Sequence, residues 1–272
     1  MLTPGVDARA RALMDAFWPG PLTLVLPRAE NVPGIVSAGL DTVAVRMPSH
    51  PAALALIRAA GAPIAAPSAN RSGRPSPTTA AHVLEDMEGR VPLILDGGPC
   101  GVGVESTVLD LAGGQAVILR PGGVTLEMIR RVLPGARVDG TVLSPLEKDA
   151  AARSPGMKHR HYAPAARVIV VAGAKDAQTS AIRGRYDTAA GEGRKTLILC
   201  TRGNQAAYGE RAAWSLGADP GEMAANLFAA LRAADAGGME LILAEAIQPD
   251  GMGLALMNRL LRAADFDVII TK

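Results

Sequence analysis

The sequence is poor in aromatic residues and carries almost no net charge. Phe, Trp and Tyr together make up 3% of the 272 residues, whereas the hydrophobic residues as a group reach 49%. Hydrophobic cores of ordinary size can form, but Ala, Val, Leu and Ile must build them. Lys and Arg number 28 against 26 Asp and Glu. This near balance argues against broad nucleic-acid binding, which usually shows a strong basic excess.

Cysteines and long apolar runs are also scarce. Cys100 and Cys200 lie far apart, each after a strand-like run, so we expect two buried free thiols rather than a disulfide. No apolar run approaches the ~20 residues that a membrane helix needs. The N-terminus has no basic segment followed by an apolar one, as a signal peptide would. These absences predict a soluble, cytoplasmic protein without membrane contact.

Several catalytic and cofactor motifs are missing as well. The sequence has no P-loop, no G-x-G-x-x-G that opens a helix, and no His/Cys cluster with metal-ligand spacing. Ser106 does not lie in a G-x-S-x-G elbow, so it would act as a nucleophile only if a histidine came close. Acid–base roles for Asp96, Glu105 and Asp110 stay open, although Asp96 and Asp110 suit hydrogen bonds to loop backbone. We assign no catalytic side chain and no metal ligand.

The most informative feature that is present is an apolar run ending in small polar residues. Residues 63–66 predict a strand, and the sequence Pro-Ser-Ala-Asn-Arg-Ser-Gly follows at 67–73. Similar runs at 91–96 and 102–105 also lead into glycine or hydroxyl residues. Open α/β sheets bind ligands at the carboxyl ends of their strands. We therefore expect these loops to converge on one polar substrate.

Two arginines stand at the ends of other predicted strands, each close to a proline. Arg46 lies late in the strand at 42–47, and Arg120 ends the strand at 115–120. An arginine at such a place offers a fixed fork of donors for a carboxylate or a phosphate. A surface ion pair is the plain alternative for either residue alone, but the recurrence favours an anion site. With nearby neutral donors, this chemistry suits charge stabilisation of a nucleoside triphosphate and a small carboxylate. The neutral donors are Ser68, Asn70, Ser76 and Ser106.

Strand and helix signals alternate in both halves of the chain, which indicates an α/β protein. Further strands are expected at 22–26, 168–171, 196–200, 239–247 and 268–270, and helices at 7–16, 51–60, 78–88, 125–133, 222–236 and 254–264. The second half favours a small parallel sheet. Residues from about 136 to 165 are interrupted by prolines and have no sustained period. We predict domains at 1–140 and 167–272, joined by a linker arm at 141–166 that closes over the site.

An ordered series of segments resembles the YrdC-like L-threonylcarbamoyl-AMP synthases in their two-domain form. The matching segments are 17–23, 45–48, 66–70, 103–108, 119–122, 154–164, 226–232 and 253–260. Each fragment is weak alone, but the series spans nearly the whole chain and is specific. The resemblance implies an α/β fold in which an incomplete YrdC-like twisted open sheet with helices precedes a small Rossmann-like parallel α/β domain.

The resemblance also implies a reaction. L-threonine, bicarbonate and ATP would give L-threonylcarbamoyladenylate and pyrophosphate, with Mg²⁺ accompanying the triphosphate. The product would pass to the transferase machinery that makes N6-threonylcarbamoyladenosine at position 37 of tRNAs. Carried onto this chain, the ATP-binding residues would be Thr42, Ser68, Asn70, Ser76, Arg120, His161 and Tyr162. The threonine-binding residues would be Arg46, Ala66, Ser106 and Thr107.

One part of the family pattern has no counterpart in this sequence. Family members usually carry an N-terminal portion with a threonine-binding strand and a phosphate-gripping Lys-x-Arg motif, and nothing before Phe17 resembles it. We therefore expect the first sheet to lack strands and to expose an apolar edge. We also expect little turnover from the 272-residue chain alone. A non-catalytic module that binds nucleotide, or weakly RNA, and a protein with an unused pocket stay open as alternatives.

Overall fold

The computed structural model describes residues 1–145 and 163–271, which form two compact units. The first unit contains Met1–Pro67 and Glu105–Val142. The second contains Ser68–Val104, Leu143–Pro145 and residues 163–271. Residues 68–104 therefore pack with the C-terminal residues. Most of the predicted linker arm lies outside the described residues, and the predicted boundaries at 140 and 167 stay predictions.

A mixed five-stranded sheet forms the first unit. Its strands are β1 (Leu22–Pro27), β2 (Thr42–Val45), β3 (Thr107–Asp110), β4 (Val117–Arg120) and β5 (Arg137–Val138), in the order β2-β1-β3-β4-β5. The pairs β1–β3 and β4–β5 are parallel, whereas β1–β2 and β3–β4 are antiparallel. The strands predicted near 22–26, 42–47 and 115–120 are confirmed.

Helices in this unit begin and end at the residues that the sequence marks. Four α-helices precede β5 in the sequence: α1 (Ala8–Phe17), α2 (Pro51–Ala60), α3 (Ala80–Met87) and α4 (Leu126–Val132). Of these, α3 belongs to the second unit. The Thr125 hydroxyl accepts from a backbone N–H in the first turn of α4. Pro51 opens α2, and Gly61 ends it in the left-handed conformation. Although α2 is apolar in sequence, none of its residues is buried.

The two faces of the first sheet differ. One face packs with α1 and α4 into a core that is closed to solvent, and its central side chains include Leu13, Leu24, Leu109, Ile118 and Ile129. The other face carries only a small apolar cluster of Val25, Val108, Val117 and Leu119. Polar side chains at the ends of the strands therefore have room on this second face.

A fully parallel sheet forms the core of the second unit. Its strands are β6 (Arg167–Ala172), β7 (Thr196–Thr201), β8 (Ala213–Gly217), β9 (Leu241–Glu245) and β10 (Val268–Ile270), in the order β10-β6-β9-β7-β8. Its long helices are α5 (Lys175–Gly191), α6 (Pro220–Ala236) and α7 (Gly251–Ala263). Short 3-10 helices cover Gly140–Val142 in the first unit and Arg202–Tyr208 in the second. The predicted Rossmann-like parallel sheet is confirmed, while β8 and α5 were not predicted.

The strands predicted at 63–66 and 91–96 are wrong. Neither run belongs to a sheet, and the side chains of Ile64, Leu93 and Leu95 are 44%, 71% and 62% exposed. An apolar run becomes a strand only when a neighbour completes its hydrogen-bond ladder. No such neighbour occurs among residues 1–145 and 163–271.

Both cysteines are free thiols in the structure, but only one is buried. Cys200 lies in the core, as predicted, whereas Cys100 is exposed. The prediction fails at Cys100 because the run before it does not form a buried strand. Within the described ranges, no helix is both long enough and apolar enough to cross a bilayer.

Candidate active site

Arg120 and Ser106 are in direct contact where β4 ends and β3 begins. The Arg120 Nε and Nη2 atoms donate to the Ser106 carbonyl oxygen at 3.2 and 3.1 Å. Nη2 also lies 3.3 Å from the Ser106 hydroxyl, and Ser106 is buried. The structure thus joins a residue predicted to hold ATP to a residue predicted to hold threonine.

A β-bulge directs Arg120 towards Ser106. Val108 lies opposite Arg120, and the next residue of β3, Leu109, lies opposite Ile118. Leu119 is therefore the extra residue of the bulge and has no opposite residue on β3. Such a bulge changes the face to which the following side chain points. Arg120 therefore shares the more open face of the sheet with Val108.

Thr23 is a member of this site that the sequence analysis did not assign. Its hydroxyl lies 2.7 Å from the Ser106 hydroxyl, and its backbone pairs opposite Val108 in the parallel β1–β3 ladder. One signal in the sequence could have pointed to it. Thr23 is a polar residue in the otherwise apolar strand Leu22–Pro27.

Arg46 extends the same row of side chains across β2. Val45 pairs opposite Leu24, so the next step of the antiparallel register places Arg46 beside Thr23. Within the part of the chain that the structure describes, the Arg46 guanidinium has no hydrogen-bond or ion-pair partner. The side chain as a whole is exposed, yet the surrounding protein removes part of its hydration and lowers its pKa. A cation in this state is suited to pairing with an anionic ligand.

Thr107 uses its hydroxyl to hold the neighbouring loop in place. Its hydroxyl donates to the Val124 carbonyl at 2.5 Å and accepts from the Val124 N–H at 3.1 Å. The loop that carries Val124 passes close by, since a Cβ on Gly122 would lie 2.3 Å from the Glu105 carbonyl oxygen. These contacts fix Ser106 in place. The predicted contact between Thr107 and threonine stays a prediction.

Two other predicted residues of the first unit stand apart from this row. Thr42 begins β2 opposite Pro27, at the other end of that strand from Arg46. The structure therefore does not bring Thr42 to Arg46. Ala66 is exposed and belongs to no strand.

Asn70, Ser68 and Ser76 lie in the second unit. The Asn70 Nδ2 donates to the carbonyl oxygens of Arg71 and Arg74 at 2.9 and 3.2 Å, which fixes the orientation of the amide. Its Oδ1 is buried and has no partner among the described residues. Buried acceptors are normally paired, so this oxygen is suited to a donor on a ligand. Ser68 is exposed and Ser76 is buried, while His161 and Tyr162 lie outside the described residues.

The donor chemistry of the site fits an anion. Within residues 1–145 and 163–271, no three His, Cys, Asp or Glu side chains are grouped so as to hold a metal ion. The carboxylates of Asp96 and Asp110 accept from the backbone N–H groups of Gly98 and Ala112 at 2.8 and 2.9 Å. Both therefore stabilise loops, as expected. In the first unit, guanidinium and hydroxyl groups are left to meet a ligand.

Two protein families match the chain in succession. Residues 2–122 match the family described as "Telomere recombination". Residues 124–265 match the domain described as "Threonylcarbamoyl-AMP synthase, C-terminal domain". Together the two matches cover almost the whole chain, and they follow the same order as the resemblance noted in the sequence.

Individual relatives agree with the family matches. The threonylcarbamoyl-AMP synthase of Pyrococcus abyssi is 46% identical over 269 residues, which are 99% of this chain and 77% of that protein. That of Bacillus subtilis is 46% identical over 271 residues, 98% of this chain and 76% of the relative. The crystal structure of P. abyssi Sua5 with L-threonine matches with a TM-score of 0.93 at 46% identity, covering 100% of this chain and 78% of the other. The chain therefore belongs to the threonylcarbamoyl-AMP synthase family and has its two-domain α/β fold.

Proposed function

We propose that the chain is an L-threonylcarbamoyladenylate synthase that uses L-threonine, bicarbonate and ATP. The contact between Arg120 and Ser106 carries the proposal, because it joins the group expected to neutralise the nucleotide to one expected to hold threonine. The non-catalytic binding module is not favoured, because relatives at 46% and 43% identity are named as synthases.

We assign threonine binding to Arg46, Thr23 and Ser106 in the first unit. The Arg46 guanidinium pairs with the threonine carboxylate, and the hydroxyls of Thr23 and Ser106 face its amino and hydroxyl groups. The solved P. abyssi Sua5 structure contains L-threonine, which supports this choice of amino acid.

Adenylate formation then proceeds in two steps. The threonine amine attacks the carbon of bicarbonate, and loss of water leaves a carbamate. A carbamate oxygen attacks the α-phosphorus of ATP, the bond from that phosphorus to the oxygen bridging to the β-phosphate breaks, and pyrophosphate leaves. The protein contributes by holding the reactants together and by placing Arg120 near the developing negative charge. Mg²⁺ would be held by the triphosphate oxygens and would neutralise the charge of the leaving group.

The product is a mixed anhydride that needs an acceptor. We propose that it is passed in the cytoplasm to the transferase machinery that forms N6-threonylcarbamoyladenosine at position 37 of tRNAs. The near balance of charge in the sequence suits transfer of a small molecule better than prolonged binding of the RNA.

The test measures binding and product with the purified full chain. ATP is titrated by calorimetry with and without L-threonine, and product is sought by mass spectrometry with ¹³C-bicarbonate. We expect threonine to tighten ATP binding, and we expect a product that contains the labelled carbon only when threonine and ATP are both present.

A matched pair of arginine variants sharpens the test. Arg46→Met removes the group that pairs with threonine, whereas Arg58→Met changes an exposed arginine on α2 of the same unit. We expect only the first to lose the effect of threonine. Nucleotide binding that ignores threonine in the parent chain, with no labelled product, would identify a binding module and contradict the proposal.

A further inference from the structure

A buried arginine of α6 holds the polar segment that carries Ser68, Asn70 and Ser76. Arg232 is 4% exposed, and its Nη2 donates to the Pro75 carbonyl oxygen at 2.7 Å. Its Nε lies at a longer distance of 3.5 Å from the Ser76 carbonyl oxygen. Both carbonyls belong to residues 68–78, so a helix near the C-terminus of the chain fixes this segment by its backbone.

The same guanidinium is tied to an acid on α3. Arg232 Nη2 lies 2.5 Å from a carboxylate oxygen of Asp86, whose side chain is closed to solvent. The other oxygen of Asp86 accepts from Arg74 Nη1 at 2.6 Å. The carbonyl of Arg74 in turn accepts from Asn70. A continuous chain of hydrogen bonds thus runs from Arg232 through Asp86 and Arg74 to Asn70.

Residues 103 and 104, at the other end of the segment 68–104, also pack on α6, through contacts that do not involve Arg232. Gly103 has a φ of +71°, and a Cβ there would lie 2.2 Å from the Cα of Ala225 in α6. Val104 packs against the hydrophobic core that α6 shares with the parallel sheet. Both ends of the segment are therefore fixed on one helix, and these contacts all lie within the second unit.

The contact joins the two halves that the family matches define. Residues 68–104 fall within the match at 2–122, and α6 falls within the match at 124–265. We propose that Arg232 is a positioning residue through which the C-terminal domain orders residues 68–78 and so sets the affinity for ATP. This inference rests on the proposed function, in which Ser68, Asn70 and Ser76 hold the nucleotide.

Arginine is needed at this position because its planar fork reaches a carboxylate and a carbonyl at once. Lysine would keep the charge opposite Asp86 but would lose the forked geometry. Arg232→Lys is therefore the mild variant, expected to fold, and Arg232→Met is the severe one. Arg211→Met is the control, because Arg211 is a surface arginine of the same unit that pairs with Asp187 at 2.6 Å.

The experiment measures ATP and threonine binding separately in the full chain, with hydrogen exchange of residues 68–78. We expect Arg232→Lys and Arg232→Met to weaken ATP binding, the latter by about tenfold or more, and to speed exchange in this segment. Threonine binding measured without ATP should be unchanged, since Arg46 and Ser106 lie in the first unit. Arg211→Met should change neither quantity.

Two results would overturn the inference. One is unchanged ATP affinity in folded Arg232→Lys and Arg232→Met. The other is an equal loss of ATP and threonine binding that follows the loss of folded protein, which would show a role in stability alone. If the parent chain bound no ATP, the proposed function would fail. The exchange rate of residues 68–78 in Arg232→Lys against Arg211→Met would then still decide whether Arg232 orders the segment.

Discussion

The hydroxyl oxygens of Thr23, in β1, and Ser106, directly before the parallel strand β3, lie 2.7 Å apart. Each hydroxyl can donate and accept, so the pair forms a small polar surface on a sheet face that is otherwise lined by valine and leucine. The guanidinium of Arg120 borders it on one side, and the register places Arg46 on the other.

Removal of the Thr23 hydroxyl should weaken threonine binding selectively. Thr23→Val keeps the shape of the side chain but leaves Ser106 without its hydroxyl partner. We expect threonine affinity to fall about tenfold, with a loss of about 1 kcal/mol in the free energy of unfolding. Calorimetry and urea unfolding measure the two quantities. Thr188→Val on the exposed face of α5 is the control, and equal threonine affinities in both variants would contradict the assignment.

Substitution of Arg120 by lysine should impair both substrates. Lys keeps the positive charge but cannot make the forked contact with the Ser106 carbonyl. Because that contact links the two predicted halves of the site, we expect ATP and threonine affinities each to fall about tenfold. Titrations of each ligand alone provide the measurement. A loss confined to ATP would show that Arg120 serves the nucleotide without holding Ser106.

Acid should loosen the contacts of Asp86. Burial alone raises the pKa of Asp86, but the hydrogen bond and charge of Arg232 and the charge of Arg74 outweigh it and leave the pKa below 3.8. The charged or titratable groups around it are Arg71, Arg74, His82, Glu85 and Arg232. Since the unfolded chain takes up the proton first, this stabilisation is complete above pH 3.8 and is lost as the pH falls through the lower folded value.

The Asp86→Asn variant tests this pH dependence. It removes the buried carboxylate partner of Arg232 and leaves only Glu85, which is half exposed and lies 3.4 Å away, so we expect a loss of about 3 kcal/mol in the free energy of unfolding at neutral pH. The variant should also show a shallower decline in stability on acidification than the parent. Urea unfolding over a series of pH values gives both results. Parallel curves for parent and variant would contradict the role of Asp86.

The two cysteines should differ sharply in reactivity. Burial, with a smaller contribution from the charge of Glu245, raises the pKa of the Cys200 thiol to about 12. Cys200 is thus a neutral, inaccessible thiol at any ordinary pH, whereas Cys100 is exposed. We expect one thiol to react with iodoacetamide in the folded chain, and peptide mapping should place the label on Cys100. Labelling of Cys200 without denaturant would contradict the structure.

The helix ends could be predicted because their signals are local. Pro51 and Gly61 mark the two ends of α2, and Thr125 marks the start of α4. At α3 the predicted start at Thr78 came too early, because Thr79 caps the helix and Ala80 is its first residue. Two adjacent threonines give equivalent local signals, and only the packed structure selects between them.

The strands and the site depended on partners that local patterns do not reveal. Residues 63–66 and 22–27 look alike as apolar runs, but only the latter has neighbours to complete a ladder. Arg120 and Ser106 could be proposed as ligand-binding residues, but their contact depends on the bulge at Leu119. Arg232 gave no signal of its role, because an arginine on an amphipathic helix usually faces solvent.

The extra residue at Leu119 makes the charge of the site depend on the bulge in β4. Val117 and Leu119 lie on the open face with Val108, whereas Ile118 lies in the closed core. Strict alternation along β4 would therefore turn Arg120 towards the core, and the bulge is what keeps it on the open face opposite Val108. Any change that straightens β4 while keeping all of its residues would remove the guanidinium from the site, even if no side chain of the site were altered.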